Sequence, residues 1–581
     1  MCAEQQPIFS KLAPEKQTIS LVFADSPASP SSGSGGYAAD LALLLVGGSV
    51  LLIGIILWFD NAQGGLTGNG VFKAMELKPW IVDPAHAKLY PANYFFYPVY
   101  GALCRLLDGL GVFAGDPRRQ LTILNAASAS VCLGVVYLMV RALTGDRLIA
   151  LTSALFHIAC SYVLFLAITN EDIMPSYTLT FASMALASIW FAGPTAARVV
   201  AVAALFSLGW LMEWRLMFPT LPAMLAALWL CEARLARRFV WVGLFLATVL
   251  AMAVVAAWAW RGHRGAVGPL ELLWTGKGVA TGWAGFSWSK VGGTLDGTVA
   301  YLLGTAITNF PAIPGWDLWR GLSLLAILAI AGVAPPMLWR ARNDNRARAL
   351  AVVFGGTFLA GVVFNLYSQP QDPQMQINIM GWLTAGWALA AVAVRRRWPR
   401  RGLAAMAGLA ALLLAHNVWS LAPLRGLDSA WHRAIEHVGR EANPERTVFV
   451  IHDFDWTMVY ASLHWGFALP GVDTLAPAPQ ATPLFKWIGL ASNIIVNPGW
   501  DADRIVADLR DQIDHALELG YDVVIARLWE LDGAQLEATT GTIANNSHAS
   551  AIGRMLHRDY SATFAFEDPL AGRFYRLQRT H

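Results

Sequence analysis

Long apolar stretches alternate with short polar turns from residue 41 to residue 422. A helix needs about 20 consecutive apolar residues to cross the hydrocarbon core of a bilayer. The pattern therefore predicts an all-α polytopic membrane protein over residues 40–424. It has about eleven spans, at 41–59, 121–140, 148–169, 173–192, 199–213, 215–231, 239–260, 321–339, 349–367, 377–394 and 402–422.

The pattern changes after residue 425. Residues 447–451 and 522–526 are short runs rich in β-branched residues, typical of buried parallel strands. A helical pattern over 501–519 lies between them, and 574–577 is predicted to be a closing edge strand. Residues 425–581 are therefore expected to form a separate soluble α/β domain.

Composition supports a membrane protein with a polar leader. The chain is 56% hydrophobic and 14% charged, whereas soluble proteins carry roughly 25% charged residues. Residues 1–39 contain the run SPASPSSGSGG and are expected to be a disordered cytosolic leader, with the first span as a signal anchor. The five cysteines lack zinc-like spacing, which argues against a disulfide framework and a cysteine metal site.

Basic residues mark alternate loops, culminating in the run RRRWPRR at 395–401. Because basic loops stay on the cytoplasmic side, the N-terminus is expected inside and the C-terminal domain outside. Residues 298–313 are apolar, but a crossing there would place the 395–401 run outside. This segment is therefore interpreted as re-entrant or interfacial, and loops 60–120 and 261–320 are interpreted as exoplasmic.

Acids at the ends of spans are the candidate catalytic residues. Asp60 follows the first span, and Glu171 and Asp172 lie between the third and fourth. Acids near a bilayer cost free energy and are often kept for function. The alternatives are structural: Asp60 could cap a helix end, and Asp172 could cap the next helix.

Three segments resemble the GT-C class of membrane glycosyltransferases, which includes protein O-mannosyltransferases and aminoarabinose transferases. They are Asp60, DPAHAKLYPANYFFYPVYGALCRLL (83–107) with its amphipathic stretch, and TNEDIMPSYTL (169–179). Loop 367–382 is similar to the late exoplasmic loop of that class. The resemblance implies direct transfer of a sugar from a polyprenyl phosphate to an acceptor hydroxyl, with a first-loop carboxylate, here Asp60, as general base.

The same resemblance implies residues that bind the substrates. Asp83, His86 and Tyr90 could orient the acceptor, although Asp83 and His86 could equally cap the amphipathic helix. Arg215 could bind the lipid phosphate or pair with Glu213. Residues in two exoplasmic loops could bind phosphate or sugar, or remain solvated: Arg261, Arg264, Lys277, Gln371 and Asp372.

The expected partners are a polyprenyl-phosphate-linked sugar, membrane lipid and an acceptor glycan, lipid or protein, with no nucleic acid. No cofactor is certain, but a divalent cation could bridge the acids.

The Ala- and Arg-rich composition suggests a bacterial inner membrane. The main alternative function is a secondary transporter or flippase. An O-antigen polymerase-like enzyme and a membrane scaffold are the others.

Overall fold

The computed structural model describes most of the chain. The described residues are 34–60, 69–232, 234–274, 286, 288–303, 316–341, 343–367, 377–451, 460–461, 486–489, 500–531, 535 and 549–580. They form a helical membrane domain followed by a small α/β domain, as the sequence predicts.

Apolar helices build the membrane domain. Its helices are α1 Ser34–Ala42, α2 Gly48–Phe59, α3 Asn69–Val82, α4 Phe96–Gly109, α5 Pro117–Thr144, α6 Arg147–Ala159, α7 Ser161–Ile168, α8 Ile173–Trp190, α9 Ala196–Met212, α10 Met217–Cys231, α11 Leu235–Ala259, α12 Pro269–Trp274, α13 Trp288–Val299, α14 Trp316–Arg340, α15 Asn345–Leu350, α16 Gly356–Tyr367, α17 Met380–Arg397 and α18 Arg401–Ser420. A π-helical turn, Leu43–Gly47, joins α1 to α2, and another, Ala351–Gly355, joins α15 to α16.

Eight helices in the described part of the chain are long and apolar enough to span a membrane, or nine if one bent pair counts as a span. That pair, α6 and α7, covers the span predicted at 148–169 and is broken within it. It bends by 69°, with Cys160 in an extended conformation at the break. The first helix begins at Ser34, so the last residues of the expected leader are helical. Helices α8 and α9 occupy the predicted positions 173–192 and 199–213.

Side-chain contacts define the two ends of the bundle. At one end, Arg147 forms an ion pair of 2.6 Å with Asp40, and Arg348 donates to the Leu230 carbonyl at 3.2 Å. Arg395 pairs with Asp146 at this end as well. These contacts gather the basic loops on one side, as the charge alternation predicts. We call the opposite end, which carries Asp60 and Asp172, the acidic end.

The first long loop covers part of the acidic end. Helix α4 is amphipathic as predicted, and it buries Phe96, Tyr97, Tyr100 and Cys104. The loop also contacts the segment that follows α11, because Leu89 donates its backbone N–H to the Arg264 carbonyl at 2.8 Å. Two loops that the sequence analysis treats separately are therefore packed together.

The described part of the re-entrant candidate 298–313 is residues 298–303. Asn417 donates to the Leu302 carbonyl at 2.7 Å and to the Ala159 carbonyl at 2.6 Å. Tyr301 packs edge-on against Tyr162 at 4.8 Å between ring centroids. Residues 298–303 thus lie beside the break between α6 and α7, while 304–313 lie outside the described residues.

The C-terminal domain contains a five-stranded sheet in the order β2-β1-β3-β5-β4. Its elements are α19 Leu427–Glu441, β1 Thr447–Ile451, β2 Lys486–Gly489, α20 Ala502–Glu518, β3 Asp522–Ala526, α21 Ala549–Asp559, β4 Tyr560–Asp568 and β5 Gly572–Arg579. Strands β1 and β3 are parallel neighbours, as predicted. The strand expected at 574–577 lies within β5, but its expected role as an edge strand is wrong, because β5 pairs with both β3 and β4 and β4 forms the edge.

Ion pairs fix the start of this domain to the membrane domain. Arg118, in the first turn of α5, donates twice through Nη1 to the Asp428 carboxylate at 2.9 and 2.8 Å. The Gly426 N–H donates to the Phe59 carbonyl at 3.1 Å. Because Asp428 is buried, loss of its charge would leave Arg118 without its closest acid, so the junction is well defined.

Close packing of α14 and α17 gives a stability prediction. A Cβ atom at Gly386 would lie 2.4 Å from the Ile330 carbonyl oxygen. Gly386→Ala should therefore force the two helices apart and destabilise the protein by about 1–3 kcal/mol, measured as a lower thermal unfolding temperature in detergent. Gly332→Ala is the matched control, since nothing lies within 4 Å of a Cβ there. Equal unfolding temperatures for the two variants would contradict this packing argument.

Candidate functional site

A buried ionic cluster at the acidic end joins three separate segments of the chain. Asp172 is fully buried, and its Oδ2 lies 2.9 Å from Lys73 Nζ, on α3. Asn93 Nδ2 donates to Asp172 Oδ2 at 2.7 Å and to Glu213 Oε2 at 2.6 Å. The first loop, the turn before α8 and the turn after α9 therefore meet at one point.

Arg215 completes the cluster. Its Nε donates to Glu213 Oε1 at 2.6 Å, and its Nη2 lies 3.6 Å from Asp172 Oδ1. The pairing with Glu213, which the sequence left as one alternative, is therefore present. The side chains of Lys73 and Arg215 keep 17% and 13% of their surface exposed. Both basic side chains therefore lie at the outer edge of the cluster, while Asp172 lies inside it.

The charges shift the ionisation of the cluster in opposite directions. Burial alone would raise the pKa of Asp172, but Lys73 and Arg215 outweigh it and hold that pKa below its ordinary value. Burial raises the pKa of Glu213, and this effect prevails although the charge of Arg215 lowers that pKa; the nearby Asp172 charge adds a smaller rise. Asp172 is thus held as a carboxylate, while Glu213 accepts a proton more readily than an exposed glutamate does.

Local structure explains why Asp172 faces the cluster. Asp172 occupies the position before α8, but its side chain caps no backbone N–H of that helix. Asn125 fixes the turn by donating to the carbonyls of Thr169 and Glu171 at 2.7 and 2.5 Å. The capping alternative for Asp172 is therefore not observed, and its carboxylate serves the ion pairs. Glu171 is buried in the same turn.

Asp60 forms a second group with different partners. It ends α2 in the left-handed conformation, with φ 45°, which non-glycine residues seldom adopt outside functional or strained sites. Its Oδ1 lies 3.0 Å from Arg119 Nη2, and Ser429 donates to its Oδ2 at 3.2 Å. The side chain is 43% exposed. Asp60 therefore ends a helix, as the alternative had it, and also presents an accessible carboxylate.

The remaining predicted binding residues line the first loop and its neighbour. Asp83 and His86 bond to each other at 2.8 Å and are exposed, so neither caps α4. The Tyr90 ring packs against Tyr97 at 5.2 Å. Arg261 lies over the Trp258 ring at 5.2 Å, and Arg264 contributes its carbonyl to the Leu89 contact. Lys277, Gln371 and Asp372 lie outside the described residues.

Sequence reasoning missed Lys73, Asn93 and Glu76. Tyr97 donates to the Glu76 carboxylate, and Lys73 lies 5.5 Å from the Tyr97 ring centroid. No sequence motif contains these residues, so the sequence analysis had no reason to select them. The one feature that could have drawn attention to them is the order of helices in the first loop, where the charged helix α3 precedes the amphipathic helix α4.

No group of three or more ligating His, Cys, Asp or Glu side chains gathers within the described part of the chain. At Asp172, two cationic side chains already supply positive charge beside the carboxylate. The cluster therefore places two partly exposed basic side chains beside two buried acids, and Asp60 presents an accessible carboxylate in a second group at the same end of the bundle.

Comparisons with known proteins identify the fold. No protein-family model and no curated protein sequence matches the chain. The crystal structure of ArnT from Cupriavidus metallidurans bound to undecaprenyl phosphate aligns with 93% of this chain and 98% of that chain, at 14% identity and a TM-score of 0.50. The apo structure of that ArnT gives the same coverage, 15% identity and a TM-score of 0.48.

Arabinofuranosyltransferase AftD from Mycobacteria aligns with 93% of this chain and 40% of that chain, at 13% identity and a TM-score of 0.40. Identities at this level establish architecture and leave chemistry to be argued from residues. The match to undecaprenyl-phosphate-bound ArnT covers both domains. The chain therefore has the fold of ArnT, with a polytopic helical domain followed by a small α/β domain.

Proposed function

We propose that the protein is an integral membrane glycosyltransferase that moves a sugar from a polyprenyl phosphate to an acceptor hydroxyl. The observation that carries this proposal is the pair of partly exposed cations, Lys73 and Arg215, fixed at the acidic end by buried acids. The ArnT structure of the same fold binds undecaprenyl phosphate, and a phosphate is the ligand that such a pair fits best.

Lys73 and Arg215 would bind the lipid phosphate and stabilise it as it leaves. When the bond between the anomeric carbon and the phosphate oxygen breaks, negative charge grows on the phosphate. Cations already fixed in position stabilise that charge without reorganising. Asp172 then has a positioning role, since its ion pairs hold both cations in place.

Asp60 is the proposed general base. It accepts the proton of the acceptor hydroxyl while that oxygen attacks the anomeric carbon, and the polyprenyl phosphate departs from the opposite face, which gives inversion. Its side chain is 43% exposed, whereas Asp172 is fully buried and bound to Lys73. Accessibility therefore favours Asp60 over Asp172 and over the buried Glu171.

The exposed residues around the site would bind the acceptor. Asp83, His86 and Tyr90 on the first loop lie near Arg261 and Arg264, because the two segments meet at Leu89 and Arg264. We assign the acidic end to the periplasmic or outer face of the plasma membrane, since the basic loops gather at the other end. The acceptor would be a glycan, lipid or protein hydroxyl on that side.

The base assignment predicts that Asp60→Asn abolishes most transfer. Asparagine keeps the size of the side chain but cannot take the proton, so activity should fall by about 100-fold or more. The assay uses purified protein and a radiolabelled pool of polyprenyl-phosphate sugars from host membranes, with folding checked by thermal unfolding. Asp108→Asn, an acid in the same loop that bonds Gln120, should keep wild-type activity. Full activity of Asp60→Asn would refute the base.

The phosphate assignment predicts weaker lipid binding without Lys73. Lys73→Met alone leaves buried Asp172 short of one cation and should unfold at a lower temperature, so the informative variant is Lys73→Met combined with Asp172→Asn. That pair keeps the charge balance and should bind undecaprenyl phosphate about 10-fold or more weakly, measured by native mass spectrometry.

Lys78→Met is the matched control for that measurement, because Lys78 lies exposed on the same helix. It should bind undecaprenyl phosphate as the wild type does. Unchanged binding by the Lys73 and Asp172 double variant would remove this cluster from the phosphate site.

A further inference from the structure

Within the described part of the chain, three buried asparagines at the acidic end have no hydrogen-bond partner for either atom of their amide groups. They are Asn170, Asn365 and Asn378, and their exposed fractions are 0%, 0% and 2%. Buried polar atoms in proteins are nearly always bonded, and an orphaned one costs about 1–3 kcal/mol. Six unpaired amide atoms at one end of the bundle therefore call for a ligand.

Other buried asparagines in the described part of the chain behave differently. Asn93 bonds Lys73, Asp172 and Glu213, and Asn417 donates to two backbone carbonyls. Asn125 donates to the turn that contains Asn170. Each of these holds chain segments together, which the three unpaired asparagines do not.

The three unpaired asparagines lie in segments at the same end of the bundle as the ionic cluster. Asn170 comes two residues before Asp172 in the turn that leads into α8. Asn365 is in the last turn of α16, and Asn378 is in the short turn Ile377–Ile379 that precedes α17. The last two flank loop 368–376, which contains Gln371 and Asp372.

Helix packing brings the face of α16 that carries Asn365 to the turn that holds Asn378 and to the start of α10. A Cβ atom at Gly361 would lie 3.2 Å from Ile379 Cγ1 and 3.9 Å from Pro219 Cβ, so this face of α16 packs against the turn holding Asn378 and the first turn of α10. Asn365 is four residues later on the same face, toward the end of the bundle. Arg215 lies two residues before the first residue of α10.

We propose that Asn170, Asn365 and Asn378 form the subsite for the sugar ring of the donor. This inference rests on the proposed glycosyltransferase function. A neutral amide offers both a donor and an acceptor, which matches a sugar hydroxyl. An anion would require more cations, a metal ion would require carboxylates, and a lipid chain would require no polar groups.

The arrangement divides recognition of the donor between two groups. Lys73 and Arg215 bind the phosphate, which every polyprenyl-phosphate donor has. The asparagines hydrogen-bond the sugar hydroxyls, whose number and orientation differ between sugars. A site built to bond a hydroxyl discriminates strongly against a donor that lacks it, because its own buried groups then stay unpaired.

The test replaces Asn365 and Asn378, one at a time, with leucine, which has nearly the same size and no polar atoms. Transfer should fall by about 100-fold or more, while binding of undecaprenyl phosphate, which has no sugar, should stay at the wild-type level. The unfolding temperature without ligand should equal or exceed that of the wild type, because an unpaired buried amide has been removed.

Asn417→Leu is the matched control, since its amide is bonded and its replacement should lower the unfolding temperature. The inference is overturned if Asn365→Leu and Asn378→Leu keep wild-type transfer, or if they lose stability as Asn417→Leu does. Absence of transfer by the wild type with every donor in the host pool would instead reject the proposed function, and the unfolding temperatures would still show whether these amides have partners.

Discussion

The ion pair between Lys73 and Asp172 is the constraint on which the acidic end depends. A carboxylate without solvent exposure is stable only with a cation and hydrogen bonds close by, since its burial costs several kcal/mol. Lys73 and Asn93 from the first loop and Arg215 from the turn before α10 meet that requirement. The first loop and the turns before α8 and α10 are therefore fixed to one another by one buried charge. Apolar packing alone, which has no direction, would let these polar segments shift.

The same pair organises the proposed chemistry. Two cations that only neutralised buried acids would be wholly enclosed, yet Lys73 and Arg215 keep part of their surface exposed. Glu213 has a raised pKa, caused first by burial and then by the Asp172 charge. In the proposed complex with a lipid phosphate, this raised pKa would favour uptake of a proton by Glu213 and so limit repulsion in the cluster.

Prediction from sequence succeeded where a signal is periodic and local. The apolar runs located the membrane helices, and the β-branched runs located β1 and β3. Prediction failed where a structural feature depends on residues far away in the sequence. The break at Cys160 lies in a continuously apolar stretch, so composition hides it. Asn93 and Lys73 belong to the ionic cluster only through their contacts with Asp172, which is far away in the sequence. The position of β5 inside the sheet depends on β4. The sequence analysis did not predict β4, which forms the edge of the sheet.

Asp60 shows how the C-terminal domain bears on the site. Ser429, in the first turn of α19, donates to the Asp60 carboxylate, and its neighbour Asp428 is bound by Arg118. Arg119, next to Arg118, pairs with Asp60 itself. Two adjacent arginines at the start of α5 thus hold both the proposed base and the first helix of the α/β domain. Movement of that domain would shift Ser429, a hydrogen-bond partner of Asp60. The α/β domain therefore helps to position the proposed base.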